Sequence, residues 1–171
     1  CGKGSGVVLL KYENKNYYTD QKQVSKQTLI DFLEKNSNYF ISENITQNKY
    51  QNSLYDKTTN TLRLVTFKDP ETEKFILYFA VQRIGTKDTI PVDNGSKGGL
   101  VAKVDLETGT LSSAKCLHNL NEYKVHPDSK NQIEGVRIPN WEKIKKEIVE
   151  LSNRFPYLNF IAWDVLLTDK G

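Results

Sequence analysis

The feature that most constrains the fold is an apolar run, FILYFAV, which occupies residues 75–81 and continues to Arg83 and Ile84. Apolar residues follow one another here without the alternation that marks a half-exposed strand. The run therefore predicts a central β-strand covered on both faces. It is far shorter than the roughly 20 residues that span a bilayer, and the apolar run at 160–167 is interrupted by Asp164. The sequence therefore predicts no transmembrane segment.

The rest of the chain reads as further strands and two main helices. Ser25 is a plausible N-cap for a helix with Leu29, Phe32 and Leu33 on one face, and Asn140 for a second helix that starts at Trp141. Turn residues separate the apolar segments that we predict as strands, at 7–10, 17–18, 39–42, 60–67, 74–84, 100–105 and 160–167. A turn at 14–16 would join the first two strands into a hairpin, a hairpin turn is predicted at 107–109, and the first helix is expected to end near 36–38. The predicted fold class is α+β, with mostly antiparallel sheets.

Composition excludes several classes of protein. The chain has 171 residues, which is enough for one domain or a piece of a larger protein. Its net charge of +3, from 24 basic and 21 acidic residues, does not call for a nucleic-acid partner. Two cysteines, Cys1 and Cys116, make a disulfide framework a poor interpretation. Because there is no methionine, Cys1 is not a translation start, and the chain is expected to be processed or excised.

The first residues allow two interpretations. Gly2, Lys3, Gly4, Ser5 and Gly6 form a glycine-rich segment whose backbone N–H groups can close around a phosphate. The segment lacks the spacing of a P-loop. The alternative is a flexible tether behind a lipid-modified Cys1, as in an exported bacterial lipoprotein.

Charged side chains in apolar strands are the next candidates. Arg63 and Arg83 must be paired or project into a polar cleft, where they clamp a phosphate or carboxylate. Asp164 needs a cation, either an arginine or Mg²⁺, and position alone does not choose between them. Glu43 is an acceptor for a nucleotide base or ribose, or an ordinary solvated acid. The polar segment DNGSKGG at 93–99 is a substrate loop or a surface turn.

Taken in order, the sequence resembles the sugar-transfer-associated branch of the ATP-grasp superfamily. The resemblance covers essentially the whole chain, and its specificity comes from the order and spacing of the matching segments. These segments are GKGSGV (2–7), YFISENITQ (39–47), NTLRLVT (60–66), RIG (83–85), DNGSKGG (93–99), HP (126–127), IPNW (138–141) and WDV (163–165).

The resemblance implies an ATP-dependent carboxylate–amine ligase. In this family MgATP phosphorylates a carboxylate, and an amine or similar nucleophile then displaces phosphate from the acyl phosphate. The implied partners are therefore ATP, Mg²⁺, a small-molecule carboxylate and an amine or sugar-linked acceptor. The association with polysaccharide genes implies a cytoplasmic enzyme that makes components of the cell surface.

The same resemblance assigns a role to each candidate residue. The glycine segment would cover the ATP phosphates, Glu43 would contact adenine, Ile45 would offer backbone groups, and Gln47 would lie near the ribose. Arg63 and Arg83 would stabilise the γ-phosphoryl group during transfer, and Asp164 would ligate Mg²⁺. The loop that contains Asp93, Asn94, Gly98 and Gly99 would border the acceptor site.

Two family features have no counterpart between residues 1 and 171. These are a lysine on a strand before the glycine segment and a Glu-x-Asn pair of metal ligands after the aspartate. We therefore expect residues 1–171 to be a partial ATP-grasp domain that is inactive alone. The alternative from a different class is a non-enzymatic binding or structural domain, exported and anchored at Cys1.

Overall fold

The computed structural model describes residues 7–20 and 22–170. They fall into two compact units, Cys1–Thr46 and Gln47–Gly171. The fold is α+β with antiparallel sheets, as the sequence predicts, and it contains the two main helices and a shorter third one among the described residues. None of these helices is long and apolar enough to cross a membrane.

The first unit is a small sheet followed by a helix. Its strands β1 (Leu10–Glu13), β2 (Asn16–Thr19) and β3 (Lys22–Val24) pair antiparallel in chain order, and helix α1 spans Lys26–Lys35. The β1–β2 turn holds Asn14 and Lys15 at φ values of 50° and 64°, the left-handed conformation that tight hairpins require. The predicted hairpin and its second strand at 17–18 are confirmed, but the strand predicted at 7–10 shares only Leu10 with β1, which runs to Glu13.

Helix α1 begins and ends where the sequence predicts. The Ser25 Oγ accepts a hydrogen bond from the Thr28 N–H at 3.0 Å, and the helix ends at Asn36. This capping satisfies one of the N–H groups that a helix start leaves unpaired. The strand predicted at 39–42 is wrong, because these residues form neither helix nor strand and have exposed side chains. Its aromatic composition favours a strand, but no neighbouring strand pairs with it.

The second unit is built on a six-stranded sheet. After helix α2 (Lys49–Leu54) come β4 (Leu62–Lys68), β5 (Phe75–Ile84), β6 (Leu100–Val104), β7 (Leu111–Cys116) and β8 (Glu122–Tyr123). Helix α3 (Trp141–Ser152) and β9 (Phe160–Val165) complete it. The strand order is β8-β7-β6-β5-β4-β9, and all neighbours are antiparallel. The central position predicted for β5 is confirmed.

One face of this sheet forms the hydrophobic core. Alternate residues such as Leu62 and Leu64 on β4, and Ala80 and Ile84 on β5, are buried there, and α3 packs against these two strands. The opposite face, which we call the open face, is only partly covered. Phe79 lies on it and is 40% exposed. The prediction that β5 is covered on both faces is therefore wrong along this part of the strand.

Helix α3 differs from the sequence prediction at its first residue. Asn140 occupies the N-cap position, but it has a φ of 54° and its side chain makes no capping hydrogen bond. The helix start is held instead by the indole N–H of Trp141, which donates to the Leu106 carbonyl at 3.0 Å. Trp141 is buried and anchors the helix to the β6–β7 turn. Packing of the indole therefore takes the place of the predicted cap.

Candidate functional site

Arg63 and Asp164 form an ion pair on the open face. They lie directly opposite each other on β4 and β9. The Arg63 Nε donates to Asp164 Oδ1 at 2.5 Å and its Nη2 donates to Asp164 Oδ2 at 2.9 Å. This two-point contact raises the pKa of the Arg63 guanidinium, chiefly through the hydrogen bond to Asp164. Of the two cations that the sequence offers to Asp164, the structure places an arginine next to it.

Arg83 joins this pair to a second carboxylate. Its Nη1 lies 3.5 Å from Asp164 Oδ1, and its Nη2 lies 2.7 Å from Asp93 Oδ1. The other oxygen of Asp93 accepts hydrogen bonds from the Thr61 N–H at 2.7 Å and the Thr61 hydroxyl at 2.6 Å. The two arginines and two aspartates thus form one network, which we call the arginine cluster.

Exposure differs sharply within the arginine cluster. The side chains of Arg63 and Asp164 are 38% and 51% exposed, whereas those of Arg83 and Asp93 are 24% and 6% exposed. Burial raises the pKa of the Asp93 carboxyl, while its bonds to Thr61 and Arg83 act in the opposite direction. Asp93 therefore holds Arg83 in place, and Arg63 and Asp164 present their charges to solvent.

The loop at 93–99 is a closed turn. The Asn94 Oδ1 accepts hydrogen bonds from the N–H and the hydroxyl of Ser96, and a 3₁₀ turn follows at Gly95–Lys97. Gly98 has a φ of 102°, and a Cβ on Gly99 would lie 2.9 Å from the Asp93 and Asn94 carbonyl oxygens. Both glycines are thus required by local geometry. The loop starts at the arginine cluster, since Asp93 belongs to it.

Gln47 has a structural environment that the sequence does not indicate. Its side chain is buried, its Nε2 donates to the Thr58 carbonyl at 2.9 Å, and its Oε1 accepts from the Asn60 N–H at 2.8 Å. The Nε2 also lies within hydrogen-bond distance of the Tyr55 carbonyl and the Asn52 side chain. With its amide bonded in this way, Gln47 supports the loop before β4, and its predicted position near a ribose stays a prediction.

The remaining predicted ligands lie in the first unit or outside the described residues. Gly2, Lys3, Gly4, Ser5 and Gly6 lie outside the described residues. Glu43 and Ile45 lie in the first unit, in a segment without regular secondary structure, and both are exposed. Their predicted contacts with adenine stay predictions.

Thr61 is a partner of the arginine cluster that the sequence does not predict. Its hydroxyl and N–H both bind Asp93, which fixes the carboxylate that holds Arg83. A threonine just before a strand carries no signal for such a role, because the partner is 32 residues away in sequence. Only the fold of the 93–99 loop reveals it.

The described residues do not fit a magnesium ion by themselves. Mg²⁺ requires near-octahedral oxygen coordination, and no group of three or more His, Cys, Asp or Glu side chains that could hold a metal occurs in the described ranges. Both oxygens of Asp164 are bonded to Arg63. The prediction that Asp164 ligates Mg²⁺ therefore stays untested, and in this structure Asp164 holds the two arginines.

The fold and the site define an α+β domain with an arginine cluster on a partly open sheet. The chain belongs to the sugar-transfer associated ATP-grasp family, whose model matches residues 2–171. No curated protein and no solved structure matches the chain. Membership of the family supports nucleotide binding, with ATP as the nucleotide, in a domain linked to sugar transfer.

Proposed function

We propose that this chain contributes the phosphoryl-transfer part of an ATP-dependent ligase that joins a carboxylate to an amine through an acyl phosphate. The enzyme would act in the cytoplasm on precursors of cell-surface polysaccharides. Membership of the family supports the binding of ATP as the nucleotide. The observation that carries the proposal is the arginine cluster, in which two guanidinium groups on neighbouring strands share one exposed carboxylate.

The energetics of the cluster favour a functional role. Ion pairs as exposed as Arg63–Asp164 contribute only about 0–1 kcal/mol to stability, so the pair adds little to folding. Arg63 uses its Nε and one Nη2 hydrogen on Asp164, which leaves further N–H donors for another anion. Two positive charges held in place beforehand suit an oxygen on which negative charge develops.

The proposed chemistry has two balanced steps. A substrate carboxylate oxygen attacks the γ-phosphorus of ATP, which forms the acyl phosphate and releases ADP. The amine then attacks the acyl carbon, inorganic phosphate leaves with the electrons of the acyl C–O bond, and the proton that the amine loses goes to the released phosphate. Arg63 and Arg83 would bind the phosphoryl oxygens in both steps, Asp164 would orient both arginines, and Asp93 would keep Arg83 in position.

Other residues complete the proposal. Gly2, Lys3, Gly4, Ser5 and Gly6 would cover the phosphates, and Glu43 and Ile45 would contact the base. The turn with Asn94, Gly98 and Gly99 would border the acceptor through its backbone. Gln47 supports the fold, for the reason given above.

The test is a calorimetric titration of ATP into the purified protein in its natural full length. The titration is done in the presence of Mg²⁺ and then in the presence of a chelator. We expect Arg63→Gln and Arg83→Gln to weaken ATP binding about tenfold or more, as loss of a hydrogen bond to a charged group does. Asp93→Asn should weaken it too by releasing Arg83. Arg154→Gln, at an exposed arginine after α3, is the matched control. Unchanged binding in both cluster arginine variants would contradict the proposal.

A second candidate, a non-enzymatic binding or structural domain, is favoured by one observation. Arg63 and Asp164 satisfy each other in a two-point contact without a ligand. If this were their whole role, Arg63→Gln and Asp164→Asn would lower the melting temperature and the wild-type protein would not bind ATP. The ligase proposal expects near wild-type melting temperatures and lost ATP affinity.

A further inference from the structure

A strip of exposed apolar side chains lies on the same face of the sheet as the arginine cluster. We call Phe67, Ile76, Phe79 and Phe160 the apolar strip; they are 41%, 45%, 40% and 59% exposed. Phe67 on β4 faces Ile76 on β5 and Phe160 on β9, and Val65 faces Phe79. Cross-strand neighbours of this kind present one continuous surface.

The strand register places the strip at a definite distance from the arginines. Arg63, Val65 and Phe67 alternate with the buried residues Leu64 and Thr66, so all three side chains lie on the open face. At about 3.3 Å per residue, Phe67 lies roughly 13 Å from Arg63 along β4. A single ligand therefore needs an extended portion of about that length to contact both.

A backbone irregularity helps to expose the strip. The β4–β5 register shifts between Val65 and Thr66, where Tyr78 is the extra residue on β5. Beyond this bulge Leu77 packs against the core, while Ile76 points to the open face and is exposed. Bulges of this kind redirect side chains next to binding sites.

The position of the strip along β4 and its apolar character bear on which ligand it suits. Gln47, where the second unit begins, is bound to Tyr55, Thr58 and Asn60, just before the N-terminal end of β4. The apolar strip lies towards the other end of β4. A nucleotide has no long apolar portion to cover it, so the strip suits the partner substrate.

We propose that the partner substrate is an acidic amphiphile, with its carboxylate or phosphate at Arg63 and Arg83 and a long apolar chain on the apolar strip. The guanidinium N–H donors that Arg63 does not use on Asp164 select the acidic group at one end of the surface. The uninterrupted apolar side chains at the other end select the chain. This inference rests on the proposed function, since it uses the same arginines.

The test compares butyl phosphate with octyl phosphate, both as monomers, by calorimetry. Each methylene that packs on the strip should tighten binding about two- to fourfold, the range between half and full burial. Octyl phosphate should therefore bind at least about tenfold more tightly than butyl phosphate. Phe67→Ser and Phe160→Thr should each reduce this ratio without changing the affinity for butyl phosphate.

Two further variants serve as controls. Leu120→Asn removes an exposed apolar side chain between β7 and β8, outside the strip, and should leave the ratio unchanged. Arg63→Gln should weaken both ligands equally. Circular dichroism checks folding, and Phe160→Thr, at the more exposed position, provides the test if Phe67→Ser unfolds.

Equal affinities of the wild type for octyl phosphate and butyl phosphate would overturn the inference. So would an unchanged ratio of the two affinities in folded Phe67→Ser and Phe160→Thr variants. Binding to phosphatidylglycerol vesicles without binding to monomeric octyl phosphate would also overturn it, in favour of a membrane contact. If the protein binds ATP but shows no effect of chain length, the binding role of the apolar strip is rejected and the proposed ligase function is retained. A chain-length effect without ATP binding would reject the ligase and leave the amphiphile site standing.

Discussion

At the scale of single residues, the charged side chains of the arginine cluster fall into a buried group and an exposed pair. Asp93 is buried, and its carboxylate contacts the Arg83 guanidinium and accepts hydrogen bonds from Thr61. Arg63 and Asp164 are exposed and bonded to each other. The sequence predicts that Arg63, Arg83 and Asp164 each need a charged or polar partner. It does not predict that Asp93 is the buried one, because its loop looks like any polar surface turn.

His126 is a second buried polar residue with a structural explanation. Its Nδ1 accepts hydrogen bonds from the Asp128 and Ser129 N–H groups, so its Nε2 carries the proton and donates to the Gly85 carbonyl at 2.8 Å. The ring stacks on Tyr55. Burial lowers the pKa of His126, and the charges of Asp128 and Lys130 act in opposite directions. The histidine is therefore held neutral.

We predict a pH dependence of stability from this neutral histidine. Because its pKa is lowered on folding, the unfolded chain binds a proton first as the pH falls below about 6.5. Stability is therefore complete above pH 6.5 and declines below it, by at most about 1.4 kcal/mol per pH unit. Urea unfolding of the wild type and His126→Gln between pH 7.5 and 5.5 measures this slope.

The His126→Gln variant should be less stable at pH 7.5 but should lose less stability on acidification. His118→Gln, on the exposed segment after β7, should keep the wild-type slope. Equal slopes in the wild type and His126→Gln would show that another group causes the pH dependence.

At the scale of elements, the β6–β7 turn shows how local sequence and packing combine. The Asp105 Oδ1 accepts hydrogen bonds from the Glu107 and Thr108 N–H groups, which closes the turn. Gly109 has a φ of 70°, and a Cβ there would lie 2.6 Å from Cγ of Trp141. The sequence predicts this turn from its glycine. The close contact with the first residue of α3 comes from tertiary packing.

We predict that Gly109→Ala destabilises the protein more than Gly135→Ala does. Both glycines have positive φ values, of 70° and 82°, so alanine is strained at either position. A Cβ at Gly135 meets no atom within 4 Å, whereas one at Gly109 collides with the indole. Overpacking adds about 1–3 kcal/mol to the backbone strain.

Chemical unfolding of the two variants measures this difference directly. Gly109→Ala should lose at least about 1 kcal/mol more than Gly135→Ala. Equal losses would show that the indole of Trp141 moves aside without cost, and that α3 is less firmly anchored to the turn than the structure indicates.

At the scale of the whole molecule, the two units differ in how much they bury. No side chain is fully buried among the described residues of 7–46, whereas the second unit contains the entire hydrophobic core cluster. Burial of apolar surface is the main source of stability. The first unit is therefore expected to open more readily than the second.

Native-state hydrogen exchange tests this expectation. Amides of α1, such as that of Leu33, should exchange at least about tenfold faster than those of Leu64 and Ala80 in the central strands, because local opening follows burial. Equal protection would show that the first unit opens only when the second unfolds.

The sequence by itself determined the elements with strong local signals. The apolar run of β5, the Ser25 cap of α1, the Asn14–Lys15 turn and the antiparallel α+β class follow from propensities and periodicities over a few residues. Local signals failed where no partner was available, as at 39–42, or where packing replaced a cap, as at Asn140.

Only the tertiary structure decided how the candidate site is assembled. Arg63 and Asp164 are 101 residues apart in sequence and meet through the β4–β9 register. The covering of one sheet face by α3 leaves the other face to the arginine cluster and the apolar strip. A single sequence does not encode such pairings locally, because register and face depend on the packing of the whole sheet at once.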